Sequence, residues 1–334
     1  MIPAAATTNR TAVAPAATPA PTAIARAYLT APRYLLGEIA RDHREIPGFA
    51  DRTRAYGMEP DARLWGWGTV HRTERELEEL VIRVGREITG MARPDAPPES
   101  GPDAPPESRV DCLVVCSTRF PGDAHTHGRL METILTGLGL DCPFLGLTLN
   151  RCTNLVTGLG VAEALVRSGA HRDVLVITAD RSTTESARVE NFALFSDGAA
   201  GCRVTARPGE YEILGTASAR DPQALDWGNE INADLSRRVN DILLPPRGLT
   251  PRDLAGVLHS NLYIPLIVMK ERLAGFTPAQ LDTSNTARTG HCFAADPLIN
   301  LVDRRTEAGG YYLLAASVPG SRAAMLLRKA PSPH

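Results

Sequence analysis

Apolar positions along the chain fall into two alternating rhythms. Val110–Val115, Pro143–Leu149 and Asp173–Thr178 are short, nearly continuous apolar runs, the pattern of strands buried on both faces. Between them, His127–Leu138 and Asn154–Val166 space their apolar residues as helices do, and the second is rich in small residues. An earlier amphipathic stretch, Glu74–Ile88, sets Leu77, Leu80, Val81 and Val84 on one face, with Thr73 placed to cap it. Strand, helix, strand, helix, strand in that order predicts a layered α/β fold with a mainly parallel sheet. A similar order returns as a helix near Glu230–Leu244, a strand at Gly256–His259, helices at Ile264–Leu273 and Pro297–Arg304, and strands at Tyr311–Ala316 and Ala323–Leu327. No residue-level repeat links the two halves, so duplication is expected only as topology.

Two stretches depart from these rhythms. Met1–Ala23 is rich in Ala, Thr and Pro and lacks the basic start and apolar block of a signal peptide, so it reads as a disordered tail. Pro94–Ser100 is repeated word for word at Pro102–Ser108, which predicts an exposed, stiff loop. With 334 residues the chain has room for two domains or one large duplicated one. We divide it into the tail (1–23), a first half (24–207) and a second half (208–330). The net charge of −2 gives no electrostatic reason to expect nucleic acid or an anionic membrane as partner. Lys270 and Lys329 are the only lysines, which reads as coding bias. The six cysteines show no CxxC or finger spacing, so neither a metal site nor a disulfide framework is expected, and a reducing cytoplasm fits best. No apolar run reaches the ~20 residues of a membrane span.

One cysteine stands in a chemically distinctive place. In Phe144-Leu145-Gly146-Leu147-Thr148-Leu149-Asn150-Arg151-Cys152 a buried strand ends in a polar turn, and Cys152 falls just ahead of a helix. The positive end of a helix dipole and the free N–H groups there stabilise thiolate, and the same groups can hold an oxyanion. Cys112, Cys116, Cys142 and Cys202 read as small buried hydrophobes instead, and Cys292 as a packing residue. On local sequence alone, Cys152 could also be one of these.

The segment Val114–Gly201 resembles the central part of the β-ketoacyl-ACP synthase III family of thiolase-fold condensing enzymes. The resemblance rests on the cysteine turn, Ala162-Glu163-Ala164-Leu165-Val166-Arg167-Ser168-Gly169, Val174-Leu175-Val176-Ile177-Thr178-Ala179-Asp180 and Phe195-Ser196-Asp197-Gly198-Ala199-Ala200. It implies that Cys152 takes an acyl group from a thioester and that Asp-Gly-Ala-Ala turns into the next strand. Val257-Leu258-His259-Ser260-Asn261 resembles the family's histidine strand end, so His259 is the implied donor to an enolate. Thr289-Gly290-His291-Cys292-Phe293-Ala294-Ala295-Asp296-Pro297 aligns with a region where the family carries a catalytic asparagine, and His291 stands there instead. Asp296-Pro297 reads foremost as a helix cap followed by proline at the first helical position, with support of His291 as the other reading. Where the family has a glycine-rich turn giving an oxyanion N–H, this chain has Ser317-Val318-Pro319-Gly320-Ser321. Pro319 has no N–H, which leaves the backbone of Val318 beside that of Cys152. The N-terminal third matches only in outline. Arg54, Trp65 and Trp67 lie where the family binds the nucleotide end of coenzyme A, and the tryptophans read equally as core. Asn261 is a further substrate-contact candidate.

The resemblance implies a five-layered α-β-α-β-α fold of two similar halves, a homodimer, and acyl-CoA or acyl carrier protein as partners, with no cofactor beyond these thioesters. The leading functional expectation is acylation of Cys152 followed by decarboxylative condensation with a malonyl thioester, in specialised polyketide or fatty-acid synthesis. The alternatives are an acyltransferase that passes the group intact to a hydroxyl or amine, and a non-enzymatic scaffold subunit.

Overall fold

The computed structural model describes residues 25–58, 61–90, 109–223 and 233–331. The Met1–Ala23 tail and the Pro94–Ser108 repeat lie outside the described residues. In chain order the first half holds β1 (Ala27–Leu36), β2 (Ile39–Asp42), α1 (Phe49–Ala55), β3 (Thr69–Arg72), α2 (Leu77–Ile88), β4 (Cys112–Cys116), α3 (Ala124–Gly137), β5 (Phe144–Leu147), α4 (Asn154–Arg167), β6 (Asp173–Asp180) and β7 (Gly198–Thr205). The second holds β8 (Tyr211–Arg220), α5 (Asp234–Leu243), β9 (Gly256–Leu258), α6 (Ile264–Leu273), α7 (Thr286–Thr289), α8 (Asp296–Asp303), β10 (Tyr311–Val318) and β11 (Ser321–Lys329). Among the described residues, no helix is long and apolar enough to cross a membrane.

The sheet order, β5-β4-β6-β7-β1-β8-β11-β10-β9, reads nearly the same from either end. In the first half β4 is parallel to β6, which is antiparallel to β7, which is antiparallel to β1. In the second, β9 is parallel to β10, then β11 and β8 follow antiparallel. The halves join where β1 meets β8. β5 has no full counterpart, but a single parallel bridge from Val257 to Leu281 marks the equivalent position. The topological duplication anticipated from the element order is therefore present.

Burial on both faces explains the unbroken apolar runs. In β4, Cys112, Val114 and Cys116 face one core, while Leu113 and Val115 face another. β6 alternates in the same way, and in β10 Leu314 and Ala316 face the first core while Leu313 and Ala315 face a third. These three cores lie between five layers: α2 and α3, the first half-sheet, α4 with α8, the second half-sheet, and α5 with α6. The apposition of α4 to β4 is close. A Cβ on Gly158 would lie 2.5 Å from the Cys116 sulfur, so only glycine fits there.

Some local expectations shift. Glu76, not Thr73, occupies the cap of α2, and the Thr73 hydroxyl instead donates to Glu38. Asp197 closes the turn into β7 through a fully buried ion pair with Arg188, and its carboxylate also accepts from the Thr73 and Ser182 amides. Without Asp197, the one carboxylate left to buried Arg188 among the described residues is Glu185, on its Nε at 3.0 Å, and two amides lose their acceptor. Asp197→Ala should lose about 3–5 kcal/mol of stability, read as a lower midpoint in urea unfolding; an unchanged midpoint would contradict this account of the turn.

Candidate active site

The turn after β5 is conformationally costly. Leu149 and Arg151 both adopt left-handed backbone, φ 70° and 50°, at about 1–3 kcal/mol each for non-glycine residues. Side chains hold it there. The Asn150 amide donates to Asn154 Oδ1 at 3.1 Å, Arg220 donates to the Asn150 side chain, and Arg151 Nη2 reaches the Pro319 carbonyl at 2.6 Å. Asn154 Nδ2 in turn donates to the Ser117 carbonyl at the end of β4. Cys152 follows in a short 3₁₀ turn, Arg151–Thr153, that runs straight into α4, as its sequence position predicts, and it is 7% exposed.

A second special turn delivers His291. Gly290 has φ 63°, and a Cβ there would lie 2.7 Å from Ser196 Oγ and 2.8 Å from the Leu194 carbonyl, so the position requires glycine. The His291 amide donates to the Leu194 carbonyl, and the Ser196 amide donates to the His291 carbonyl. The imidazole packs against the Phe195 ring, with centroids 4.9 Å apart. Its Nε2 lies 3.3 Å from Cys152 Sγ and its Nδ1 lies 2.5 Å from Asp296 Oδ2.

Asp296 corrects the cap assignment. Ala295 takes the cap position of α8, and Asp296 is the first helical residue. Its carboxylate turns back to take His291 on Oδ2, together with the Asn261 amide at 2.6 Å, and the Cys292 amide on Oδ1 at 2.7 Å. His291 and Asp296 are both fully buried. Burial opposes a charge on His291, yet the Asp296 carboxylate and the Cys152 sulfur outweigh it and raise His291 well above its ordinary value. The signal in the sequence was the His291-x-x-x-x-Asp296 spacing.

His259 stands apart from the Cys152–His291–Asp296 series. Among the described residues no hydrogen bond joins it to Cys152. Its Nδ1 lies 3.0 Å from the Ser260 carbonyl, which can only accept, so Nδ1 carries the proton. Its Nε2 is 2.8 Å from Arg322 Nη1, which can only donate, so Nε2 presents a lone pair. Arg322 is also paired with Glu271 at 2.7 Å and donates to Ser317 Oγ at 3.0 Å. Glu271 Oε1 stands 3.1 Å from the same Nε2. Burial, reinforced by the charge of Lys270, pushes His259 down to about 4 against the pull of Glu271, so the ring is neutral at pH 7. Neither Arg322 nor Glu271 was singled out from the sequence, where each reads as an ordinary surface charge.

The remaining candidates take supporting places. Trp65 and Trp67 are 2% and 5% exposed, and they pack edge to face in a core with Ile46, Val70, Val189 and Leu194, so they offer no open stacking surface for adenine. Arg54 points outward on α1 and pairs with Asp51. Asn261 is buried, with Nδ2 donating to Thr289 Oγ1 and the Gly290 carbonyl, and Oδ1 accepting from Asn300. It therefore braces the turn that carries His291. Val318 ends β10 in register with Ser321 across a tight Pro319–Gly320 turn, the same turn that Arg151 grips. Asp180, at the end of β6, is pushed up to about 6 by burial. Its Oδ1 takes the Ser117 hydroxyl and the Thr118 amide and hydroxyl, which pins the bend after β4.

Comparison with known proteins follows this geometry. The profile of the 3-oxoacyl-[acyl-carrier-protein] synthase III family matches residues 148–222, from the Cys152 turn through β8. β-Ketoacyl-[acyl-carrier-protein] synthase III of Chlamydia caviae is 40% identical over 78 residues, which are 22% of this chain and 23% of that protein. The sequence match thus spans about a quarter of that relative's length. The fold match is far broader. 3-Oxoacyl-[acyl-carrier-protein] synthase III from Aquifex aeolicus superposes with a TM-score of 0.70 at 17% identity, covering 90% of this chain and 99% of the other. The acyltransferase ChlB3 superposes with a TM-score of 0.71 at 15% identity, covering 91% and 98%. At such identities the superpositions speak to the fold, while the cysteine segment carries the sequence kinship. The chain thus shares the fold of the 3-oxoacyl-[acyl-carrier-protein] synthase III structures, and its residues 148–222 are similar in sequence to that family.

Proposed function

We propose that this chain is a cysteine-dependent acyltransferase that moves an acyl group intact from a thioester to a hydroxyl or amine. The observation that carries this reading is the hydrogen-bonded series Cys152–His291–Asp296. In the first step the Cys152 sulfur bonds to the thioester carbonyl carbon, the donor's C–S bond breaks, and the departing thiolate takes the proton held on His291 Nε2. The backbone N–H groups at the start of α4 face the developing oxyanion. In the second step His291 removes the proton of the acceptor O–H or N–H, the acceptor bonds to the same carbon, and Cys152 leaves as thiolate. Asp296 fixes the imidazole's orientation and balances its charge in both. The donor on this reading is an acyl-CoA or acyl carrier protein thioester.

Decarboxylative condensation makes a different demand. Two donors must hold one thioester oxygen as enolate charge builds there. His259 Nε2 presents a lone pair toward Arg322 and has no proton to offer a substrate, which is why intact transfer is favoured over condensation.

Three outcomes test the reading. Incubation with an accepted acyl thioester should add one acyl mass to the Cys152 peptide and none in Cys152→Ala, and the group should pass to an alcohol or amine; release of carbon dioxide from a malonyl thioester would restore condensation instead. His291→Ala or Asp296→Asn should slow transfer by about 10²-fold or more, whereas His259→Gln, which removes nothing bonded to the sulfur, should stay within roughly tenfold of wild type. Equal loss in all three, measured as kcat/KM, would return His259 to the chemistry.

The third outcome concerns pH. A histidine raised in the folded state stabilises the fold fully below its unfolded value near ~6.5, and that contribution fades as pH rises through the higher folded value. Asp296→Asn removes the largest raising influence. The His291 imidazole, followed by nitrogen NMR, should therefore be protonated at neutral pH in the wild type and titrate lower in the variant. A midpoint that does not move would contradict the electrostatic role of Asp296.

A further inference from the structure

The strained turn before Cys152 is tied back to one buried carboxylate. β4 pairs with β6 so that Cys116 stands beside Thr178, which brings Ser117 and Thr118, the two residues after β4, up to Asp180 at the end of β6. Asp180 is 3% exposed. Its Oδ1 accepts from the Thr118 amide and hydroxyl, each at 2.6 Å, and from the Ser117 hydroxyl at 3.0 Å. Its Oδ2 is buried and finds no hydrogen-bond partner among the described residues, so the bonds of this carboxylate all go to the bend after β4. Two legs run from that bend toward the nucleophile. In the first, the Ser117 carbonyl accepts from Asn154 Nδ2 at 2.9 Å, and Asn154 Oδ1 accepts from the Asn150 amide at 3.1 Å. In the second, the Thr118 carbonyl accepts from Thr148 Oγ1 at 3.3 Å. The legs land at Thr148 and Asn150, on either side of Leu149, and so hold the left-handed backbone there against its conformational cost. β6 also packs on Phe293–Ala295, the segment that follows His291, so the carboxylate stands where the supports of both site residues meet.

We propose that Asp180 is a positioning residue for acyl transfer: it fixes the Ser117–Thr118 bend, and through Asn154 and Thr148 that bend sets where the Cys152 sulfur stands relative to His291 Nε2. The inference rests on Cys152 as the acyl carrier, the first step of the proposed function. A sulfur displaced by a fraction of an ångström leaves the donor's other contacts in place, but it meets the thioester carbonyl and the imidazole at poorer distance and angle. The loss therefore falls on the rate of acylation and not on affinity. Asparagine at 180 keeps the oxygen that accepts the three bonds, whereas alanine removes it.

The test is single-turnover acylation of Cys152, followed by intact-protein mass, with the acetyl, hexanoyl and benzoyl thioesters of N-acetylcysteamine, the fastest of which is used throughout. A rate constant belongs to the molecules that react, so a purely structural loss lowers the amplitude alone. Asp180→Ala should lower the limiting rate constant about tenfold or more and leave the half-saturating concentration within about twofold, while Asp180→Asn keeps the rate within about threefold of wild type. Asn154→Ala should slow acylation as well, and the Asp180→Ala/Asn154→Ala pair should be no slower than Asp180→Ala alone, because both cut one series. An asparagine variant as slow as the alanine one, losses that multiply in the pair, or a lower amplitude at an unchanged rate constant overturns the assignment. If Asp180→Ala does not fold, Asn154→Ala and Thr148→Val cut the two legs separately, and unchanged rate constants in both have the same force. Acylation that persists in Cys152→Ala would instead overturn the reading on which the inference rests, a result that no variant at position 180 can produce.

Discussion

A carboxyl group with no solvent exposure at all has to be satisfied by the protein around it, and at Asp296 that requirement organises the whole second half of the site. Its two oxygens are met by the amide that follows His259 and Ser260, by the amide of Cys292, and by the ring of His291. The partners come from two stretches: the segment after β9, and the turn after Gly290 that carries both His291 and Cys292. Any rearrangement of these segments leaves a buried acceptor unmet, at roughly 1–3 kcal/mol or more for each lost bond. The geometry of the Cys152–His291–Asp296 series and the packing of α8 are thus parts of one constraint.

The duplicated topology explains where the relay assembles. Cys152 follows β5, the third main-sheet strand of the first half, and precedes α4. His291 follows the Leu281 bridge, the remnant third strand of the second half, and precedes α8. The two helices share the central layer, so equivalent turns from the two halves meet across the pseudo-symmetric seam. One half supplies Cys152 and the other supplies His291 and Asp296. A site drawn from both halves also requires that they dock rigidly, which the shared sheet through β1 and β8 ensures.

Much of this was legible in the sequence because it depends on local pattern. Cys152 declares itself through a strand run, a polar turn and a small-residue helix, all contiguous. The strands β4 and β6 were visible as apolar runs because both of their faces are covered. What escaped depends on distant partners. β1 and β8 are antiparallel seam strands whose alternation is broken by half-buried positions, so neither rhythm marks them. Asp296 sits beside a proline in a sequence that local rules read as a cap, and only the fold turns its carboxylate toward His291. The tryptophans matched a family position, but their burial is decided by α1 and the segment after β6, far away in sequence. His259 was found by resemblance, whereas the arginine that occupies its Nε2 comes from a strand 63 residues later.

That arginine bears on how such a protein can change over generations. Arg322 and Glu271 neutralise one another with no access to water, and Lys270 also stands 3.8 Å from Glu271, so it is loss of Glu271 that takes the carboxylate from buried Arg322 beside His259. Replacing Glu271 first therefore passes through an intermediate weakened by about 3–5 kcal/mol, a large share of the stability of most folds. A lineage that frees the histidine does so by exchanging Arg322 first, or both residues together. The cage thus sets an order of change: drift that begins at the carboxylate meets the steeper loss of stability.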